Sequence, residues 1–495
     1  MTLRTYTHYI NGTNYTGESG ELIRRTSPGH GGDLADFALG TAGDLNTAVE
    51  AARTAFETGP WREMAATEKA AILNRWGDMI HADLERLAVI EAEESGKPIA
   101  YARGEIRHSV AMLRYAAALG LQLHGEAFQN VGPNAMGLVS REPRGVVGMI
   151  TPWNFPMVTL FQKLPYALSA GCAVVVKPSE LTSGTTIEVA RMATEAGLPA
   201  GVFNVVTGTG AVVGTAMTAH PEVDMISFTG STAVGKAIGE ACARTVKRCA
   251  LELGGKAANV VFADADLDAA LDGVLFGIVL NQGEECVGGT RLLIEESVAE
   301  DFVAKLIERV KKTRTGLPLD ETADQSALIH EDHMQKVLDY IAIGQAEGAT
   351  LAVGGTRLTE GGLDKGFFVA PTVFTNVAPE MRIFREEIFG PVMTVTTFRT
   401  AEEAIALAND TVYGLGNGIW TKDIDKALLL TRRLKSGTVF VNTFLETSVQ
   451  MPFGGFKQSG LGRENGIDGL LEYTEVKSAF VKFGTRTALL PHTVQ

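Results

Sequence analysis

"VVGMITPWNFPMVTLFQKLPYALSAGCAVVVKPSE", Val146 to Glu180, carries a strand, a helical stretch and a second strand in 35 residues. "VVGMI" and "AVVVK" are near-continuous apolar runs, the pattern of strands covered on both faces, and "TLFQKLPYALSA" between them has helical length and spacing. The alternation continues downstream. "TTIEVARMATEA" predicts a helix, "FNVV" a strand, "AVVGTAMTA" a helix, "DMISFT" a strand and "TAVGKAIGEACA" a helix. Strand and helix in strict alternation predict an α/β fold with a doubly wound parallel sheet.

Upstream, helices are predicted over Leu45–Thr58, Thr67–Ser95 and Ile106–Leu121, and "GPNAMGLVSREPRGV" predicts a projecting hairpin. A second α/β region begins near Asn259. Its helices are expected at Leu267–Leu280, Val298–Lys312 and Met334–Gln345, and its strands at "RLLIE", "VMTVTTF" and "GTVFVN". No repeat or low-complexity linker separates the two regions, so the boundary is tight, near Gly254–Gly255, with a cleft between them.

The chain has 495 residues, 45% hydrophobic and 21% charged, within the globular range. A net charge of −14 argues against nucleic acid and anionic membrane as partners, since both require a basic footprint. No run approaches the ~20 apolar residues that span a bilayer. The N-terminal segment lacks a secretion signal, and the four cysteines, Cys172, Cys242, Cys249 and Cys286, form no C-x-x-C pair and no zinc spacing with histidine. The expectation is a reduced, cytoplasmic protein with no metal site.

Cys286 differs from the other three. It lies in "NQGEECVGGTR", a polar, glycine-loosened stretch, whereas Cys172, Cys242 and Cys249 read as core thiols. "FTGSTAVGKA" has P-loop spacing from Gly230 to Lys236, but Ala237 stands where magnesium binding needs Ser or Thr. What survives is a glycine turn at a helix N-terminus, suited to an anion. A second such turn, "VTGTGAVVG", contains Gly208, Gly210 and Gly214; tight strand–helix packing is the alternative for both. Lys177 and Glu180 of "KPSE" follow a strand, where an acid can hold ribose hydroxyls and repel a 2′-phosphate. Asn154, set between Pro152 and Pro156, is a turn residue or an oxyanion donor. Glu252 of "LELGGK" is a paired core acid or a general base of raised pKa.

In order, "PWNFP", "KPSE", "FTGST", "ELGGK", "NQGEEC", "EEIFGPV", "GLG", "VN" and "PFGGFKQSGLGRE" resemble the NAD(P)-dependent aldehyde dehydrogenase superfamily over nearly the whole chain. Glu252 and Cys286 are 34 positions apart, as in that family's base-to-nucleophile interval. The resemblance implies a Rossmann-like NAD-binding domain (1–122 and 143–254), an α/β catalytic domain (255–458) and β oligomerisation segments (123–142 and 459–495), with a homotetramer favoured over a homodimer. It implies Cys286 as nucleophile, Asn154 and the Cys286 N–H as oxyanion hole, Glu252 as general base and Glu464 as a second acid in proton relay. For the cofactor it implies Lys177 and Glu180 at the adenosine ribose, Gly210, Gly230, Ser231 and Trp153 about the pyrophosphate, and Glu387 and Phe389 at the nicotinamide ribose and ring. NAD is expected ahead of NADP, and the substrate is a small aldehyde.

Some positions depart from the family pattern. His333 stands where a cofactor-contacting glutamine is common, and "ALIHEDH" replaces a frequent Gly-Pro. Gln162 and Thr447 stand where many relatives have aromatic pocket residues, so the pocket is expected to be more polar than usual. Glu285, next to the nucleophile, is either a solvated loop acid or a bias toward cationic or amino aldehydes. A CoA-acylating relative typically lacks the acid found at Glu252. A silent relative would have lost Cys286, Asn154 or Glu252, and a cysteine hydrolase has no use for two phosphate turns.

Overall fold

The structure, a computed structural model, describes residues 3–485. The "VVGMI" strand, Val146–Ile150, lies inside an eight-stranded sheet. Its parallel neighbours are Ala173–Lys177 on one side and Met225–Thr229 on the other. Phe203–Val205 extends the first side and Arg248–Glu252 the second. Alternate residues feed two cores: Val147, Met149, Val174 and Val176 face one helical layer, while Val146, Ile150, Ala173 and Val175 face the other. Burial on both faces is why these strands read as unbroken apolar runs.

The chain winds outward from Val146–Ile150 in one direction, then returns to start again with Met225–Thr229 on the other side. A doubly wound sheet opens a crevice at such a switch point, beyond the strands' C-terminal ends. Asn154 follows one of the two flanking strands and Gly230 the other.

A second sheet has seven strands, centred on Arg291–Glu295 between Ala258–Val261 and Val392–Phe398, and all its pairings are parallel except the one at the Thr350–Val353 edge. It too is covered on both faces. A three-stranded antiparallel sheet joins Glu126–Phe128, Ala135–Pro143 and Thr474–Lys482. The stretch expected to form a hairpin supplies only one strand, Ala135–Pro143; the other arm, Glu126–Phe128, precedes it, and a third strand comes from far along the chain.

Several expected helices are divided. Thr67–Ser95 is two helices, Ala66–Ala82 and Leu84–Ser95, separated at Asp83 (φ −104°, ψ 19°). The third upstream helix starts earlier than predicted, at Ile99 directly after Pro98, and runs to Gly120. "TLFQKLPYALSA" breaks into Pro156–Phe161 and Leu164–Ala170, because Pro165 lacks an N–H and its ring excludes a continuous helix. Gly210–Gly214 forms a wide π-type turn before the short helix Thr215–Ala219.

The C-terminal segment is also divided. Gly460–Leu461 pairs with Leu251 and Glu252 at the edge of the eight-stranded sheet, and the helix Gly466–Glu472 packs on Leu164–Ala170. Only Thr474–Lys482 joins the three-stranded sheet, and residues 486–495 of the expected oligomerisation segment lie outside the described residues.

Candidate active site

Cys286 is placed by an unusual loop. The helix Leu267–Val279 ends, and Asn281 (φ 49°), Gln282 (φ 47°) and Gly283 (φ 74°) then take left-handed conformations in succession. A Cβ on Gly283 would lie 2.3 Å from the Gly390 backbone, so glycine is required there. The loop directs the Glu284 carbonyl toward the other sheet, where it accepts from Asn154 Nδ2 (2.9 Å) and from Asn281 Nδ2 (3.0 Å). The Asn154 carbonyl accepts from buried Lys97 Nζ (2.8 Å) and from Asn281 Nδ2 (3.0 Å). One proton of the Asn154 amide is thus committed to Glu284, leaving the other available to the cavity that Asn154 lines. The Cys286 N–H has no acceptor among the described residues.

Glu252 ends the strand Arg248–Glu252. It is 4% exposed, and neither carboxylate oxygen has a hydrogen-bond partner among the described residues. Burial pushes its pKa up to about 8, against the pull of Lys163 and Arg463. Gly255, three residues on, brings the backbone so close to the Cys286 carbonyl that a Cβ would stand 2.1 Å from its oxygen. Burial also raises the Cys286 thiol well above its ordinary value, reinforced by the charges of Glu285, Glu387 and Glu252. The thiolate is therefore scarcer than the few per cent of an ordinary cysteine at neutral pH. A positive charge entering the site would reverse that.

Cys286, Asn154 and Glu252 open onto one cavity of about 400 Å³, within the range of small-molecule sites. Trp153, Gly230, Ser231, Glu387 and Phe389 line the same cavity. Glu387 accepts from the Gly255 N–H (2.9 Å). Phe389 has φ 63°, and its carbonyl lies 2.7 Å from His333 Nε2. The rings of Trp153, His333 and Phe389 meet edge-on in a cluster. Burial lowers the His333 pKa to about 4, so the ring is neutral and serves as the donor that fixes Phe389.

Lys177, Glu180, Gly210 and Glu464 stand outside the cavity lining. Lys177 Nζ meets Glu180 (3.1 Å) at the end of its strand. Ser231 caps the helix Thr232–Ala243, accepting from Val234 N–H, and Gly230 N–H donates to the Glu252 carbonyl (3.0 Å), tying the glycine turn to the strand Arg248–Glu252. Val212 and Val234, in the first turns after Gly210 and Ser231, leave apolar surface exposed. Glu464 is ion-paired with fully buried Lys163. Lys163 escaped sequence reasoning because a lysine in "LFQKLPYAL" looks like an isolated helix-surface charge; burial lowers its pKa to about 7, opposed by Glu252 and Cys286. Among the described residues no group of three or more His, Cys, Asp or Glu is placed to hold a metal ion.

Residues 15–479 match the profile of the aldehyde dehydrogenase family. The chain belongs to that family. The betaine aldehyde dehydrogenase of Bacillus subtilis is 41% identical over 474 residues, 96% of this chain and 97% of that one. Among solved structures, an NAD-dependent aldehyde dehydrogenase from Sinorhizobium meliloti superposes with a TM-score of 0.96 at 45% identity, covering 98% of this chain and 96% of its own. An NAD+ complex of an aldehyde dehydrogenase from Bacillus cereus gives 0.95 at 38% identity, with 97% of each chain covered. The architecture expected from the sequence, parallel sheets with helices on both faces, is that of these aldehyde dehydrogenases.

Proposed function

We propose that this aldehyde dehydrogenase oxidises an aldehyde to the carboxylic acid with reduction of NAD, through a thioester on Cys286. The observation that carries the mechanism is the opening of Cys286, Asn154 and Glu252 onto one cavity. As thiolate, Cys286 adds to the aldehyde carbon. The oxygen becomes an oxyanion, met by the Cys286 N–H and the free proton of the Asn154 amide. Its collapse expels hydride and leaves the thioester. Glu252 then takes a proton from water, which attacks the thioester, breaks the C–S bond and releases the acid.

NAD, when bound, supplies the acceptor for that hydride. The residues present fit it: Lys177 and Glu180 at a strand end for a ribose, the Gly230–Ser231 turn at a helix N-terminus for the pyrophosphate, and Glu387 and Phe389 for the nicotinamide riboside. The exposed Val212 and Val234 offer apolar flanks for a base. Glu464, through Lys163, is a route for the proton leaving Glu252.

NADH formation from an aldehyde without CoA tests the reaction; strict dependence on CoA would favour the acylating alternative. NAD should be preferred over NADP by at least about tenfold in kcat/KM, because Glu180 repels a 2′-phosphate. Equal use of the two cofactors would remove Glu180 from the ribose. No helix among the described residues is long and apolar enough to cross a membrane. A cytoplasmic location is supported by the free cysteines. A homotetramer or homodimer is supported by the strand Thr474–Lys482, an edge of its sheet with Val476 and Phe480 exposed.

A further inference from the structure

Among the described residues Glu285 Oε2 has no hydrogen-bond partner, and it is shut away from solvent. The partly buried side chain lines the cavity that Cys286 opens onto. The charged and titratable groups that face it leave it uncompensated. Lys97 is the nearby cation, but its Nζ is already engaged by the Glu105 carboxylate and the Asn154 carbonyl. Glu105 repels Glu285. His108, on the same helix as Glu105, lines the cavity with its pKa lowered by burial and is neutral. Cys286 adds no positive charge. Among the described residues the only lysine or arginine lining the cavity is Lys336, whose charge partner is Glu387.

A carboxylate oxygen that is shut away from solvent without a partner is costly to retain. A ligand bearing both positive charge and N–H donors would remove that cost. We propose that the aldehyde taken by this site carries a primary ammonium group, which Glu285 binds. The proposal rests on the aldehyde-oxidising function given above. A quaternary ammonium fits less well, because it has no N–H to give to the carboxylate oxygen. Gln162 and Thr447, also on the lining, are polar groups in place of aromatic ones. Aldehydes with a terminal carboxylate are disfavoured by the same charge.

The test compares 3-aminopropanal with butanal, its neutral isostere, and with 3-hydroxypropanal and 3-trimethylammoniopropanal, in wild type, Glu285→Gln and Glu285→Asp. The readout is a ratio of kcat/KM values, so damage common to all substrates cancels. In wild type the ammonium aldehyde should lead butanal, and Glu285→Gln should cut that lead by at least about tenfold. Glu285→Asp, which keeps the charge, should hold a larger lead than Glu285→Gln.

Burial raises the Glu285 pKa to about 8, so the free site holds a protonated acid at neutrality. The charged form grows as pH rises through that value, while an alkylammonium stays protonated to about 10. The wild-type lead should therefore increase with pH across this interval, and the Glu285→Gln ratio should stay flat. An unchanged ratio in Glu285→Gln overturns the proposal and leaves aldehyde oxidation standing. An equal loss for 3-hydroxypropanal, or a trimethylammonium aldehyde that matches the primary one, also overturns it. NADH from none of the four aldehydes overturns both the proposal and the function beneath it.

Discussion

Replacing Glu252 by glutamine should lower steady-state NADH formation by about 10²–10⁴, the range for loss of a general base. Glutamine keeps the shape of a side chain that is 4% exposed and has no hydrogen-bond partner among the described residues to lose, so the fold should be unaffected. Rapid mixing resolves the step. A retained burst of about one NADH per site would assign Glu252 to thioester hydrolysis alone. Loss of the burst would show that it also takes the Cys286 proton. The pH profile supplies a second check. A base with its pKa pushed up to about 8 is mostly protonated at neutrality, so hydrolysis-limited turnover in wild type should rise with pH through that value. Near-normal turnover in Glu252→Gln would refute both roles and return attention to CoA as the thioester acceptor.

Asn154→Ala should slow thioester formation by about 10²–10³, the usual loss for one oxyanion donor. The substitution is well suited to the question, because the contacts that hold the 154 backbone go to its carbonyl, from Lys97 and Asn281, and survive loss of the side chain. What disappears is the amide and its bond to the Glu284 carbonyl. The effect should fall on the burst rate, which sets it apart from Glu252→Gln, while NAD affinity persists. An unchanged burst rate would place the oxyanion elsewhere.

Four central strands were legible to the residue: Val146–Ile150, Ala173–Lys177, Arg291–Glu295 and Val392–Phe398 coincide with their expected runs, because burial on both faces keeps most of their positions apolar. Ala258–Val261, only four residues long, was not anticipated. The short N-terminal strands Arg4–Tyr6, His8–Ile10 and Thr13–Tyr15 gave no such signal. They are three residues each, and two contain polar positions throughout most of their length. The break at Asp83 was hidden because helical spacing continues on either side of it. Pro165 is the local signal for the break between Pro156–Phe161 and Leu164–Ala170, in a stretch whose apolar spacing is otherwise helical.

At the site, the cysteine, the asparagine and the glutamate announced themselves by residue type in improbable surroundings. Their electrostatic state did not. Suppression of the Cys286 thiolate depends first on burial and then on Glu285, Glu387 and Glu252 converging from separate parts of the chain, which no local spacing encodes. Lys163 was hidden for the same reason: burial of a charge is a tertiary fact.

The bonds between Asn154 and the Glu284 and Asn281 groups join a loop of one sheet to a loop of the other. Neither half owns the proposed oxyanion hole; it would exist as a seam. The seam also carries Gly255 N–H to Glu387, and brings the Glu252 strand end to the Cys286 loop. Misplacing reacting groups by about 1 Å costs on the order of a hundredfold in rate. The chemistry is thus a property of alignment between two sheets that are each fully formed without it. Slippage at the seam would silence the protein while leaving every strand and helix intact.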